Sequence, residues 1–236
     1  LEDVKRFSST FKYPYKLRKL KKITQNQKIS YDLALIISVT LTTHRNKIMS
    51  SLLNYLDKIS GRILVIGAGP GIELKLLKAY GKDLDVVVYD IHISNFIYKS
   101  KQIHVFGLDI KNKISVEKAL NLILTKFNIK EFDVIIDDGS HNLNDILITL
   151  KSFFKLLKKK GLFIIEDFKY PNYYKYNKNI EHIYVDEFLK NLEDKKISPS
   201  KIFTENEQIK LMNSIIKIKV YKGNLKDSDI AFITKN

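Results

Sequence analysis

The sequence predicts an α/β fold: a mostly parallel sheet that ends in an antiparallel hairpin, preceded by a helical N-terminal extension. Three observations predict it. Short, mainly apolar runs recur at 63–66, 84–89, 132–136 and 161–165, as expected of strands covered on both faces. Segments with apolar residues at three- and four-residue spacing alternate with those runs, the pattern of amphipathic helices. The tail carries two further β-rich runs, 215–221 and 230–234, joined by a short polar connection, which reads as a hairpin.

Residues 1–59 show no strand-like alternation. Within them 31–55 reads as helix, with Leu33, Ile36, Ile37 and Leu41, then Ile48, Leu52 and Leu53, on a helical period. This portion is read as a basic helical cap, and 60–236 as one α/β domain. The texture changes at Gly61. A strand at 63–66 runs into a glycine cluster, and a helix follows at 72–80. The strand at 84–89 is closed by Asp90, and another spans 102–106. A helix at 116–127, a strand at 132–136, a helix at 142–157 and a strand at 161–165 complete the series. Ligands bind such sheets at the carboxyl ends of the strands, near the point where strand order reverses.

Length and composition describe a folded chain: 236 residues, 44% hydrophobic and 11% aromatic, are enough for one substantial core. No apolar run reaches the ~20 residues that span a bilayer, since the longest, 33–41, is short and interrupted by Ser38 and Thr40. With no cysteine there are no disulfides and no thiolate ligands, and a cytoplasmic location is expected. The oligomeric state is open, a homo-oligomer included. The net charge of +15 raises the question of nucleic acid. Only four of the 41 basic residues are arginine, however, whereas sites that grip phosphate favour the guanidinium fork, so a lysine-solvated surface is the better reading. The local exception is the first 28 residues, where Lys5, Arg6, Lys12, Lys16, Arg18, Lys19, Lys21, Lys22 and Lys28 face only Glu2 and Asp3.

Three constellations carry chemistry. Gly67-Ala-Gly69-Pro-Gly71 lies between a predicted strand and a predicted helix, where glycine permits a tight turn and close approach of a ligand to helix N–H groups. Asp90 follows about 20 residues on, where a carboxylate can accept hydrogen bonds from ribose hydroxyls. The pair indicates a nucleotide-type cofactor and leaves NAD, FAD and S-adenosylmethionine open. Next, Asp137-Asp138-Gly139-Ser140-His141 closes one strand and Glu166-Asp167 closes another. Asp138, Glu166 and Asp167 are expected to converge, and three carboxylates together call for a hard divalent cation such as Mg²⁺. His141, with an ordinary pKa near 6.5, suits a general base. The competing readings are that Asp137 or Asp138 caps the following helix, and that His141 is a local polar residue.

These motifs together resemble the class I S-adenosylmethionine-dependent methyltransferases. The likeness is to the group that includes macrocin and mycinamicin sugar O-methyltransferases and the cephalosporin hydroxylase-like proteins. The resemblance covers roughly 63–168 and implies a Rossmann-like sheet, S-adenosylmethionine and Mg²⁺. It implies Asp138, Glu166 and Asp167 as metal ligands and His141 as base. It also implies Gly67, Gly69 and Gly71 beneath the methionine part of the cofactor, Asp90 at the ribose and Asp109 against the adenine amine. Asp137, in the same strand-end block, is counted with the cofactor-binding residues. Val65 departs from the pattern, standing where such enzymes usually carry an acid two positions before the first glycine.

The expected activity is transfer of the sulfonium methyl to a hydroxyl of a small molecule or glycan. Two alternatives stand beside it: an RNA-directed methyltransferase using the basic N-terminal arm, and a non-catalytic cofactor-binding protein, which Val65 makes conceivable. Hydride chemistry has no residues to support it. The tyrosines of 168–176, directly after Glu166-Asp167, suit stacking on a sugar or base as well as they suit a surface loop.

Overall fold

The computed structural model describes residues 61–68, 85–91, 102–174, 182–223 and 226–236. The chain divides into two units, Leu1–Met49 and Ser50–Asn236, and every described residue belongs to the second. The expected helices at 31–55 and 72–80 lie outside the described residues.

Seven strands form one sheet: β1 (Arg62–Ile66), β2 (Asp85–Asp90), β3 (Ile103–Gly107), β4 (Phe132–Asp137), β5 (Leu157–Ile165), β6 (Ile215–Tyr221) and β7 (Ile230–Lys235). Their order is β3-β2-β1-β4-β5-β7-β6. The first five run parallel, and β7 joins β5 antiparallel with β6 on its far side. Burial explains the sequence texture. Every residue of β4 is buried, as are the four that follow Arg62 in β1 and the four central residues of β2. Such strands have no solvent face to require alternation. At the edge, β6 turns Lys217 and Lys219 to solvent, and charged side chains discourage pairing with another chain. Strand order reverses between β1, which leads outward to β2 and β3, and β4, which starts the other half.

Among the described residues, helix α1 (Lys113–Thr125) joins β3 to β4, with the Asn112 side chain capping its first turn. Helix α2 (Leu143–Phe153) joins β4 to β5 and buries Leu143, Ile146, Leu147 and Leu150. The sequence extends this helix to 157. Instead the helix gives way to a 3₁₀ turn at Phe154–Leu156, and β5 begins at Leu157. The apolar spacing of Phe153, Phe154 and Leu157 suits either conformation, and the sheet claims the last of them. Asn142, and neither Asp137 nor Asp138, is the N-cap residue of α2, and its side chain makes no capping bond.

Three helices had no counterpart in the sequence reading: α3 (Tyr170–Tyr173), α4 (Val185–Glu193) and α5 (Glu205–Asn213). Signals existed. Val185, Phe188, Leu189 and Leu192 repeat at helical spacing, and Thr204 with Glu207 forms a capping box. Between α4 and α5, Gln208 is buried and receives the Ser198 N–H at 2.8 Å while donating to the Ser198 carbonyl at 2.8 Å, closing that loop.

The leading end of the sheet is tied by Asp133, which accepts the Arg62 N–H at 2.8 Å and pairs with Lys158. Asp133→Ala would leave the part-buried Arg62 N–H without its charged acceptor, at a cost of about 1.5–3 kcal/mol. Denaturant unfolding should show that loss while binding at the opposite edge of the sheet stays unchanged.

Candidate active site

The carboxyl ends of β1, β2 and β4 meet where strand order reverses. Gly67 follows β1 with φ of +83°. Its N–H donates to the Tyr89 carbonyl at 2.7 Å, and the Asp138 N–H donates to the Ile66 carbonyl at 2.8 Å. A Cβ on Gly67 would lie 2.3 Å from the Asp138 carbonyl oxygen and 2.4 Å from the Gly139 Cα. Glycine is required here by the protein's own backbone. Gly69 and Gly71 lie outside the described residues. Val65, in the middle of β1, is flanked by Val88 and Ile136, so the position that departs from the family pattern sits in a fully apolar stretch of sheet.

Asp90 closes β2 beside Gly107 of β3, and its carbonyl accepts the Leu108 N–H at 3.0 Å. Asp109 opens the turn after β3. Its carboxylate accepts the Lys111 N–H at 3.0 Å, and its own N–H donates to Ser115 Oγ at 3.1 Å. Asp90 and Asp109 therefore occupy neighbouring strand ends on one side of Gly67.

On the other side, β4 delivers Asp137, Asp138 and His141, and β5 delivers Glu166 and Asp167, with Asp137 paired to Ile165. His141 Nε2 lies 3.6 Å from Asp138 Oδ1, and both side chains are about one-fifth exposed, at 21% and 20%. The imidazole also lies against Tyr170 (centroids 6.0 Å), which stacks on Tyr174 at 4.1 Å. Two of these site residues adopt left-handed backbone, His141 at φ +53° and Asp167 at φ +49°. Non-glycine residues in that region cost about 1–3 kcal/mol. Such strain persists where surrounding structure imposes it, typically at functional sites.

Asp137 is 4% exposed. Its Oδ1 accepts the Gly139 N–H at 3.3 Å, and its Oδ2 is buried with no hydrogen-bond partner. Burial raises its pKa from 3.8 to about 8, and the charges of Asp145 and Glu166 add to the rise. The Gly139 amide and the nearby Thr149 hydroxyl oppose it only in part. A carboxyl whose pKa is raised on folding keeps a proton that the unfolded chain releases. The resulting penalty is absent below pH ~4 and grows as pH rises toward 8. Stability of the metal-free protein should therefore fall from pH 5 to pH 9. Asp137→Asn should flatten that profile and leave the variant more stable than the parent at pH 9 by at least ~1.4 kcal/mol, the equivalent of one pKa unit. Parallel unfolding curves at the two pH values check this.

The carboxylates expected to converge do so only in part. Asp138, Glu166 and Asp167 stand at the ends of paired strands, yet among the described residues no group of three or more acidic or histidine side chains is gathered closely enough to hold a metal. The reasons are local. Asp138 faces His141, while Glu166 is 6% exposed and turned inward, where its charge bears on Asp137. The donor set still suits a hard cation. All three residues offer oxygen, and Asp167 Oδ1 is buried without a hydrogen-bond partner.

The structure adds residues that sequence reasoning missed. Lys169 reaches Asp229 at 3.3 Å and Asp186 at 3.8 Å, pinning the turn that carries Tyr170. Asp145, on the buried face of α2, accepts from Ser140 and from Asn142 Nδ2 at 3.2 Å. An acid amid the apolar positions Leu143, Ile146 and Leu147 was the signal for it.

Comparisons with known proteins agree with this layout. A family model described as a methyltransferase domain matches residues 41–196. No curated protein sequence matches significantly. Among solved structures, MycE methyltransferase from the mycinamycin biosynthetic pathway, in complex with Mg and SAH, is 19% identical. Its TM-score is 0.59, over 84% of this chain and 50% of that one. The MycE complex that also holds mycinamycin VI is 20% identical over the same shares, again with a TM-score of 0.59. A putative caffeoyl-CoA O-methyltransferase from Staphylococcus aureus is 14% identical, with a TM-score of 0.52 over 89% of this chain and 91% of that one. This chain thus spans about half the length of the MycE structures. The chain belongs to the methyltransferase-domain family, and its sheet has the class I S-adenosylmethionine-dependent methyltransferase fold.

Proposed function

We propose that this protein transfers a methyl group from S-adenosylmethionine to a hydroxyl of a small molecule or glycan, with Mg²⁺ assisting. The observation that carries the reading is the placement of His141 beside Asp138 at the end of β4. It stands next to the Glu166-Asp167 strand end and across Gly67 from Asp90 and Asp109.

In this reading the turn at Gly67, Gly69 and Gly71 holds the methionine part of the cofactor, Asp90 the ribose and Asp109 the adenine end. Asp137, whose side chain is buried, supports that wall from beneath. S-adenosylmethionine supplies an already activated methyl group, so the protein's task is chiefly positioning and deprotonation. Asp138, Glu166 and Asp167 would hold Mg²⁺, whose charge favours the deprotonated form of an acceptor oxygen. His141, whose Nε2 faces Asp138, takes the hydroxyl proton at its other ring nitrogen, Nδ1, and Asp138 steadies the imidazolium that forms. Tyr170, against the His141 ring, and Tyr174, stacked on Tyr170, border the acceptor side. MycE has been seen with Mg, SAH and mycinamycin VI, which supports this reading of the acceptor class. A cytoplasmic enzyme is part of the same proposal. Among the described residues no helix is long and apolar enough to cross a membrane.

Calorimetry with S-adenosylhomocysteine tests it. The protein should bind this product, and Asp90→Ala should weaken binding by about 1.5–3 kcal/mol, the range for a hydrogen bond to a charged group. Unchanged affinity in the variant, or preference for NAD, overturns the cofactor assignment. Activity that survives EDTA treatment overturns the part given to Mg²⁺.

A further inference from the structure

We propose that Asp145 is a positioning residue that locks together the two loops on either side of the cofactor wall, the Asp109 turn and the His141 loop. The inference rests on the functional reading of those loops.

Asp145 lies in the first turn of α2 and is 3% exposed. An acid there ordinarily faces the free N–H groups of its own helix. This one spends a single oxygen, Oδ2, on partners from elsewhere. The Ser140 hydroxyl donates to it, Asn142 Nδ2 donates at 3.2 Å, and Lys111 Nζ stands 3.7 Å away. Ser140 Oγ in turn accepts from Asn142 Nδ2 at 3.2 Å, so the hydroxyl is used both as donor and as acceptor. Ser140 precedes His141, whose φ of +53° needs outside support. Lys111 belongs to the other loop, where its N–H donates to the Asp109 carboxylate at 3.0 Å.

A buried carboxylate is costly unless it is paired and hydrogen-bonded. Here the groups that satisfy it come from both loops, so displacing either loop removes a partner from the same oxygen. The chain of contacts runs from Asp109 through Lys111 and Asp145 to Ser140 and His141. Lys111 itself is largely exposed, with 62% of its side chain accessible, and has no part in the proposed chemistry.

The test uses the full chain and nuclear magnetic resonance. In Lys111→Met the His141 ring signals should shift, while those of His104 and His182 stay in place as internal controls; Lys111→Arg should restore them. Coupling between two sites is reciprocal. Ser140→Ala should therefore shift the amide signals of Asp109 and Lys111, and Ser140→Thr, which keeps the hydroxyl, should return them. His141 signals unmoved in Lys111→Met, or a shift that Lys111→Arg fails to reverse, overturns the inference. Titration of S-adenosylhomocysteine into the same samples should give affinity several-fold weaker in Lys111→Met and restored in Lys111→Arg. A wild-type protein that binds no S-adenosylhomocysteine would refute the functional reading, and the ring-signal comparison would still judge the linkage.

Discussion

Gly67→Ala is expected to lower stability by about 2–6 kcal/mol and to abolish measurable binding of S-adenosylhomocysteine. Two costs add. The backbone stands at φ +83°, a conformation that costs an L-residue about 1–3 kcal/mol. The new methyl would also sit 2.3 Å from the Asp138 carbonyl oxygen and 2.4 Å from the Gly139 Cα, and overpacking of this kind costs about 1–3 kcal/mol more. Relief requires β1 and the loop after β4 to separate. That movement breaks the Asp138 N–H to Ile66 hydrogen bond and displaces Asp138 from beside His141. Thermal unfolding and calorimetry on the one variant measure both effects. Stability and affinity equal to wild type would show that the Gly67 turn is looser than its contacts indicate.

His141→Ala is expected to slow methyl transfer by about 10²- to 10⁴-fold, the usual worth of a positioned general base. S-adenosylhomocysteine affinity should stay nearly unchanged. Single-turnover kinetics with an acceptor that the wild type methylates would read the chemical step directly. A second variant separates catalysis from folding. His141 holds a left-handed φ of +53°, so His141→Gly removes strain along with the imidazole. The strain relieved, about 1–3 kcal/mol, outweighs or matches the ~0.4–1 kcal/mol of unfolded-chain entropy that glycine adds, so the variant should be at least as stable as the parent and still lose the rate. A glycine variant that is more stable and fully active would reduce His141 to a strained structural residue, the bland reading that its sequence context always allowed.

The central parallel strands were legible because they are covered on both faces, so 63–66, 84–89 and 132–136 appear as mainly apolar runs, interrupted only by Asp85 and Asp133. The terminal hairpin was legible from its β-rich runs, 215–221 and 230–234. The polar strand ends Asp90, Asp137-Asp138 and Glu166-Asp167 were equally visible, because a carboxylate that closes an apolar strand has no packing reason to be there. Less legible were α4 and α5, whose apolar stripes are short and lie among lysines and asparagines. The end of α2 was misjudged because the same apolar spacing serves a helix or a strand, and only pairing with β4 decides for the strand.

By itself the sequence determined the layers, the strand ends and the chemical types gathered there, since these follow from local periodicity and from the cost of burying charge. Tertiary structure alone decided what each of those residues faces. It showed that Gly67 is demanded by the backbone of Asp138 and Gly139, where the sequence suggested a tight turn and close approach of a ligand. It buried Asp137 until its carboxyl holds a proton near neutral pH. It turned Asp138 toward His141. Through Asp145 it brought Lys111 and Ser140, 29 positions apart, to one carboxylate oxygen. Contacts between residues so distant in the chain leave no periodic trace, and they exist only once β3, β4 and α2 have packed.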